Sequence, residues 1–412
     1  MVRIRLAWIK HFLSAVVLLV LLAGALELGL RLVDPSQPGS PSARPGDDPL
    51  TMPCWLMHHR LRPMAKLSVP SPDRDSNVEV RTNSFSLRGP EPAVPKPAGV
   101  YRIVCLGDET VLAPEIDEQR TFCRRLEELL QPHTRFRLEV INAGVPGYCP
   151  LLSSLQARHA VFALQPDVIV LHVDMSDIAD DHQYRRFLQT DETGAPVACP
   201  HPELERPPTR AGGGWLDRLQ IACWCRRQFV ALPESAAGAA DRLDIDARSG
   251  RYAWLRDDPP DWTVYIEQAL APVSRLAQAA DQVYARLVLA TCPVPWQVSP
   301  TAAGGARNEA GVPENAHYRS RAPFEQIAAF AARRRILFRD ASSVFQHSPD
   351  PDTLYLQNSR GLSEQGHELY ARQLAACLLE HVPGVWITEP PPYRPDERHD
   401  PTRQALNEPS RR

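Results

Sequence analysis

From residue 101 onward, short runs of apolar and β-branched residues alternate with longer segments of helical apolar spacing, and this alternation most constrains the fold. Runs at Tyr101 to Leu106, Arg137 to Asn142, Asp167 to Val173, Ala285 to Thr291 and Ile336 to Asp340 read as strands. Glu118 to Leu130, Leu151 to Leu164, Trp262 to Tyr284, Pro323 to Arg334 and Ser363 to Leu379 read as helices. Pro272 falls inside the longest and is expected to kink or divide it. Strands that are apolar throughout need cover on both faces. The expected fold is therefore α/β: a three-layer α/β/α sandwich around a flavodoxin-like, doubly wound, parallel five-stranded sheet. A site in such a sheet lies at the carboxyl ends of the strands.

Ahead of this pattern, Phe12 to Leu26 carries no charge, and the apolar run continues past Glu27 to Leu30, behind Arg3, Arg5 and Lys10. That length spans a bilayer, and the basic flank places the N-terminus in the cytoplasm with the main chain outside. Residues 1–33 thus read as a cytoplasmic stub and a transmembrane helix. Ala23-Gly24-Ala25 also has the small-x-small form of a signal-peptidase site, so secretion after cleavage near Ala25 is the second reading. Residues 34–98 read as a linker and lead-in segment, and 99–382 as the main domain. Within it, an insertion at about 181–260 carries Gly212-Gly213-Gly214 and clustered Trp and Cys; the Pro-rich tail, 383–412, is expected to be disordered.

With a net charge of −3 and no basic stretch that dominates, nucleic acid is excluded as an expected partner. Nine cysteines suit an exported protein, where disulfides are permitted, but an odd count leaves at least one thiol unpaired. Cys223-x-Cys225 is too closely spaced for a zinc knuckle, and Cys105, Cys292 and Cys377 read as small buried hydrophobes. The sequence implies neither a metal nor a cofactor.

Four blocks then stand out. The first strand ends in Gly107-Asp108-Glu109-Thr110, and the second leads into Asn142-Ala143-Gly144-Val145-Pro146-Gly147-Tyr148. Pro166-Asp167-Val168-Ile169-Val170 leads to Asp174-Met175-Ser176-Asp177, and Asn358-Ser359-Arg360-Gly361 precedes Leu362-Ser363-Glu364-Gln365-Gly366-His367. In this order and spacing, over about Arg102 to Leu379, the chain resembles the SGNH (GDSL-like) hydrolase superfamily of esterases. The resemblance implies a serine nucleophile directly after Gly-Asp. It also implies an oxyanion hole built from a glycine N–H and an asparagine, and an Asp-x-x-His pair.

Carried onto this chain, the nucleophile position is Glu109, the oxyanion glycine Gly147 and the oxyanion asparagine position Ser176, with Asn358 and Gly361 at the acid and base positions. Only Gly147 keeps the family's function. A glutamate has no proton to surrender at neutral pH, and its attack on an ester would give an anhydride. At a helix N-terminus the dipole favours negative charge, so Glu109 is expected to be a cap or hydrogen-bond acceptor. Ser176 retains one hydroxyl on a shorter side chain, Gly361 accepts no proton, and Asn358 lacks the charge to orient an imidazolium. Thr110 and His172 read as turn and core residues, and His367 as a solvated or packing residue within a helix, while Asp180, Asp181 and His182 read as a solvated acidic loop near the cleft mouth. Candidate ligand-binding residues are Asp108, Asn142, Trp296 and Gln297. The last two are expected to face the cleft as an aromatic platform and amide for a sugar or acyl group, with Trp296 as a packing residue the equal alternative.

These losses point to a membrane-anchored, extracytoplasmic hydrolase-like protein with impaired catalysis, a binding or assembly component of the cell envelope with a glycan or acylated ligand. Two other readings stay open. One is an active ester hydrolase (carboxylesterase or acetylesterase) or O-acyltransferase on envelope glycans or lipids that uses another nucleophile; the other is an anchored structural domain without a ligand.

Overall fold

The computed structural model describes residues 48–204 and 263–387, apart from Met175 and Glu309. The anchor expected at 1–33, the glycine run, Cys223, Cys225 and the tail beyond 387 lie outside the described residues. Among the described residues, no helix is long and apolar enough to cross a membrane. Those residues divide between two units, one containing 48–62 and 183–204, the other 63–182 and 263–387.

The larger unit holds a five-stranded parallel sheet of β1 (Val100–Leu106), β2 (Arg137–Asn142), β3 (Val168–His172), β4 (Arg286–Thr291) and β5 (Leu337–Asp340). Their spatial order is β5-β4-β3-β1-β2, the doubly wound flavodoxin-like arrangement in which the winding reverses between β1 and β3. Every residue of β1 and β3 is buried, as an inner strand covered on both faces requires. The edge strand β2 instead alternates buried and more exposed positions.

The helices are α1 (Glu109–Leu112), α2 (Phe122–Leu130), α3 (Pro150–Gln156), α4 (Asp177–Arg185), α5 (Thr263–Gln282), α6 (Ala322–Arg334), α7 (Ser342–Gln346) and α8 (Glu364–His381). On one face α2 packs against α8 over Ile103, Cys105, Val168, Val170 and Val288. On the other, α3 packs against α5, and α5 against β4. Pro272 lies within α5, which runs on as one helix to Gln282.

Three expectations need correction. The segment from Glu118 to Leu130 is not one helix: Glu118–Arg120 form a 3-10 turn, and Thr121 is extended before α2 begins. The Thr121 hydroxyl donates to the Glu118 carbonyl at 2.8 Å, which closes the first turn. The segment from Leu151 to Leu164 is α-helical only to Gln156, then passes through a π turn and a 3-10 turn. Finally, Asp180, Asp181 and His182 are in α4 and not in a loop, and both aspartates are buried.

In the smaller unit, Thr51–Pro53 pairs antiparallel with His59–Leu61, and Gln189–Thr190 with Pro196–Ala198. His58 packs against the rings of His59, Tyr184, Phe187 and His201. Burial, and next the neighbouring imidazole of His59, push its own imidazole down to about 2.

A single charged side chain ties β1 to the chain around it. Arg102 is fully buried; its Nε and Nη2 donate to Glu139 Oε2 on β2 at 3.0 and 2.7 Å. Nη1 donates to the Leu164 carbonyl and Nη2 to the Ala93 carbonyl. Removing one partner of a buried pair strands the other, so Arg102→Met is expected to destabilise the fold by about 3–5 kcal/mol in urea unfolding.

Candidate functional site

The site begins at the carboxyl end of β1. Asp108 caps α1, its Oδ1 accepting the Thr110 N–H at 2.9 Å, and Glu109 is the first helical residue. A helix of four residues has almost no internal hydrogen bonds, so its carbonyls need outside donors. Asn142 Nδ2 donates to the Val111 carbonyl at 2.6 Å. The buried Arg88 donates through Nη1 to the carbonyls of Leu112 and Ala113, and through Nη2 to that of Ile116 at 2.6 Å. A cation on these carbonyls also complements the helix dipole. Gly144 lets the segment after β2 lie against α1, since a Cβ there would stand 2.2 Å from the Leu112 nitrogen.

Glu109 is held on two sides. Its Oε2 accepts the backbone N–H of Gly147 at 3.0 Å, and its Oε1 forms an ion pair with the Arg360 guanidinium. Gly147, at φ 69°, occupies a conformation that favours glycine. Arg360 is carried by a tight hairpin in which the Leu356 N–H donates to the Gly361 carbonyl and Tyr355 bridges to Leu362. The same hairpin holds the acid and base positions. Asn358 is turned away to Asp73, whose Oδ1 accepts from both its backbone N–H and its Nδ2, at 3.0 and 3.1 Å. Ser359 donates to Glu115 Oε2 at 2.7 Å, and a Cβ on Gly361 would stand 3.0 Å from that same oxygen. Among the described residues, no histidine hydrogen-bonds to Glu109.

Ser176, at the oxyanion-asparagine position, is fully buried, and its N–H and O–H both donate to Asp174 Oδ1, at 2.6 and 2.7 Å. Its one hydroxyl proton is therefore already committed. Asn142 is equally occupied, donating to α1 and accepting the Gly144 N–H at 3.1 Å. Trp296 and Gln297, expected to face the cleft, are fully buried and present no surface to a ligand. The reason is local: a 3-10 turn at Pro295–Gln297, closed by the Val294 N–H donating to Gln297 Oε1, tucks both side chains inward. His367 is buried on Phe122, its Nδ1 accepting the Phe122 N–H at 3.2 Å.

A second group converges beside Glu109. Ligand atoms of Asp108, His172 and Asp174 all lie within 4.8 Å of one another, and all three residues are buried. Burial, reinforced by Asp174, pushes the Asp108 carboxyl up to about 7, while burial pushes the His172 imidazole down to about 4. Burial likewise raises Asp177, with Asp174 adding to it.

Reading the sequence assigned no role to Arg360, Arg88 or Asp174. For Arg360 a signal was present: a cation in the loop between the two positions at which the resemblance implies an acid and a base, with a glutamate at the implied nucleophile position.

His367 gives this region a pH dependence. Burial, with Arg88 next, pushes its imidazole down to about 3, against about 6.5 in an unfolded chain. Between those values the unfolded chain binds the extra proton, so the stability contributed by neutral His367 is complete above pH 6.5 and is lost as pH falls towards 3. Each pH unit in that window costs about 1.4 kcal/mol for one such group. His367→Gln, which keeps an acceptor for Phe122, is expected to flatten the acid limb of stability against pH, as followed by urea unfolding between pH 4 and 7.

No family model matches the sequence, and no curated protein matches it. Solved structures do. An acetylxylan esterase from Geobacillus stearothermophilus is 13% identical with a TM-score of 0.36, the match covering 68% of this chain and 94% of that one. A GDSL-like lipase from Bacteroides thetaiotaomicron is 10% identical with a TM-score of 0.34, covering 68% of this chain and 88% of that one. The chain is similar to these GDSL-type proteins in fold; what its site does is read from its own residues.

Proposed function

We propose that this chain is an SGNH hydrolase-like protein with impaired catalysis. In this reading it is held at a membrane by its N-terminal segment and serves on the outer side as a binding or assembly component of the cell envelope, with a glycan or acylated group as its ligand class. The observation that carries the reading is the contact at Glu109. An oxyanion hole accelerates acyl transfer because its donors wait, unpaired, for a charge that develops only in the transition state. Here the Gly147 N–H is already bonded to a permanent carboxylate, and Arg360 fixes that carboxylate from the other side. The Ser176 hydroxyl is spent on Asp174, and Asn358 on Asp73. The apolar run at Phe12 to Leu26 with its basic flank supports the membrane placement.

Detergent-purified full-length protein assayed with 4-nitrophenyl acetate is expected to turn over no faster than a heat-inactivated control. Turnover that a serine-directed phosphonate abolishes would overturn the proposal. The triple variant Glu109→Ser, Asn358→Asp, Gly361→His restores the family's triad residues but leaves Arg360 in place and Ser176 committed, so it too is expected to be inactive. Strong esterase activity from it would mean that the oxyanion machinery had survived.

A further inference from the structure

We infer that Asp108, His172 and Asp174 form a binding site for one divalent first-row transition cation, of the zinc or manganese class. The inference does not rest on the functional proposal above: the site's residues are not the family's nucleophile, base or acid positions. The three residues come from the ends of neighbouring strands, Asp108 just beyond β1, His172 the last residue of β3 and Asp174 two residues further on. Relative exposures of 3%, 3% and 7% place all three deep in the molecule.

Two polar atoms of these side chains have no hydrogen-bond partner. Asp108 Oδ2 and His172 Nε2 are buried without a donor or acceptor, whereas the other atoms of these side chains are held in place. Asp108 Oδ1 accepts from Thr110, Asp174 Oδ1 accepts twice from Ser176, and His172 Nδ1 bonds to the Tyr370 hydroxyl at 2.8 Å. A ligating imidazole is usually oriented in this way by a partner on its second nitrogen. Unpaired buried polar atoms are costly, and two of them in a cluster that holds a further carboxylate form an arrangement that a cation relieves.

The spacing suits the ion. Ligand atoms about 2.1 Å from a zinc ion lie about 3.4 Å apart at the tetrahedral angle, so separations within 4.8 Å need a contraction of at most about 1.4 Å. The guanidinium of Arg360, which acts on Asp108, is also paired with Glu109. One imidazole with two carboxylates selects against calcium and magnesium, which take oxygen ligands, and fits zinc or manganese. Three protein ligands leave a further coordination position for water or another ligand.

The test uses full-length protein carrying no polyhistidine tag, stripped with a chelator and titrated calorimetrically with zinc or manganese chloride alone. Binding of close to one equivalent is expected, with affinity reduced at least about tenfold in His172→Gln and Asp108→Asn and unchanged in His347→Gln, on an exposed histidine elsewhere. In case those variants do not fold, the wild-type protein loaded with cobalt(II) is expected to show d–d absorption of a nitrogen–oxygen ligand set, without a thiolate charge-transfer band. The inference is overturned if neither ion binds near one equivalent, if folded His172→Gln binds as tightly as wild type, or if the cobalt spectrum shows thiolate ligation.

Discussion

A carboxylate that stays ionised on the edge of the interior must be given donors, and the site is arranged around that requirement at Glu109. The start of a short helix supplies part of the field, Gly147 supplies an N–H, and Arg360 supplies the counter-charge. Each donor is fixed in turn. The conformation of Gly147 aims its amide, and Asp73 and Glu115 hold down the hairpin on either side of Arg360. The donors around Glu109 and the carboxylate itself are thus bound to one another.

The floor of the site obeys a different rule. Asp108, Asp174, Asp177 and His172 are too deep for water to stabilise their charges, and the nearby guanidinium serves Glu109. Burial shifts the proton equilibria of Asp108, Asp177 and His172 towards their neutral forms, raising the two carboxyl groups and lowering the imidazole. The rim therefore carries a paired charge, and the floor a set of groups in which Asp108, Asp177 and His172 are shifted towards their neutral forms. Such perturbed clusters belong to sites more often than to plain cores.

Much of the fold was legible because inner strands buried on both faces must be apolar at every position, so each expected strand lies within one residue of the observed one at either end. Helix continuity was not legible. An amphipathic period extends unbroken through Glu118 to Leu130, while the break at Thr121 is made by backbone torsion and one hydroxyl bond. Loop side chains were least legible, because no period links position to direction there: Trp296 follows a strand and reads equally as a cleft wall or a packing residue, and a single turn buries it. In the site, the motif blocks located Glu109, Gly147, Ser176, Asn358 and Gly361. Arg360 sits between two of these positions, and the motif assigns it no role. Asp108, Asp174 and His172 come together only because β1 and β3 are neighbours, a fact of sheet order that local sequence does not contain.

Arg88 has a wider meaning. It lies a dozen residues ahead of the sheet, yet its guanidinium closes the carbonyl end of α1, and its own N–H donates to the Asn142 carbonyl at 3.1 Å. Asp73, earlier still, anchors the hairpin that bears Arg360. The α/β sandwich is thus not a self-sufficient module to which a leader has been appended. A chain begun at Val100 would retain every strand of the sheet while losing the clasp on both halves of the Glu109–Arg360 pair, so the boundary of the functional unit lies upstream of the boundary of the fold.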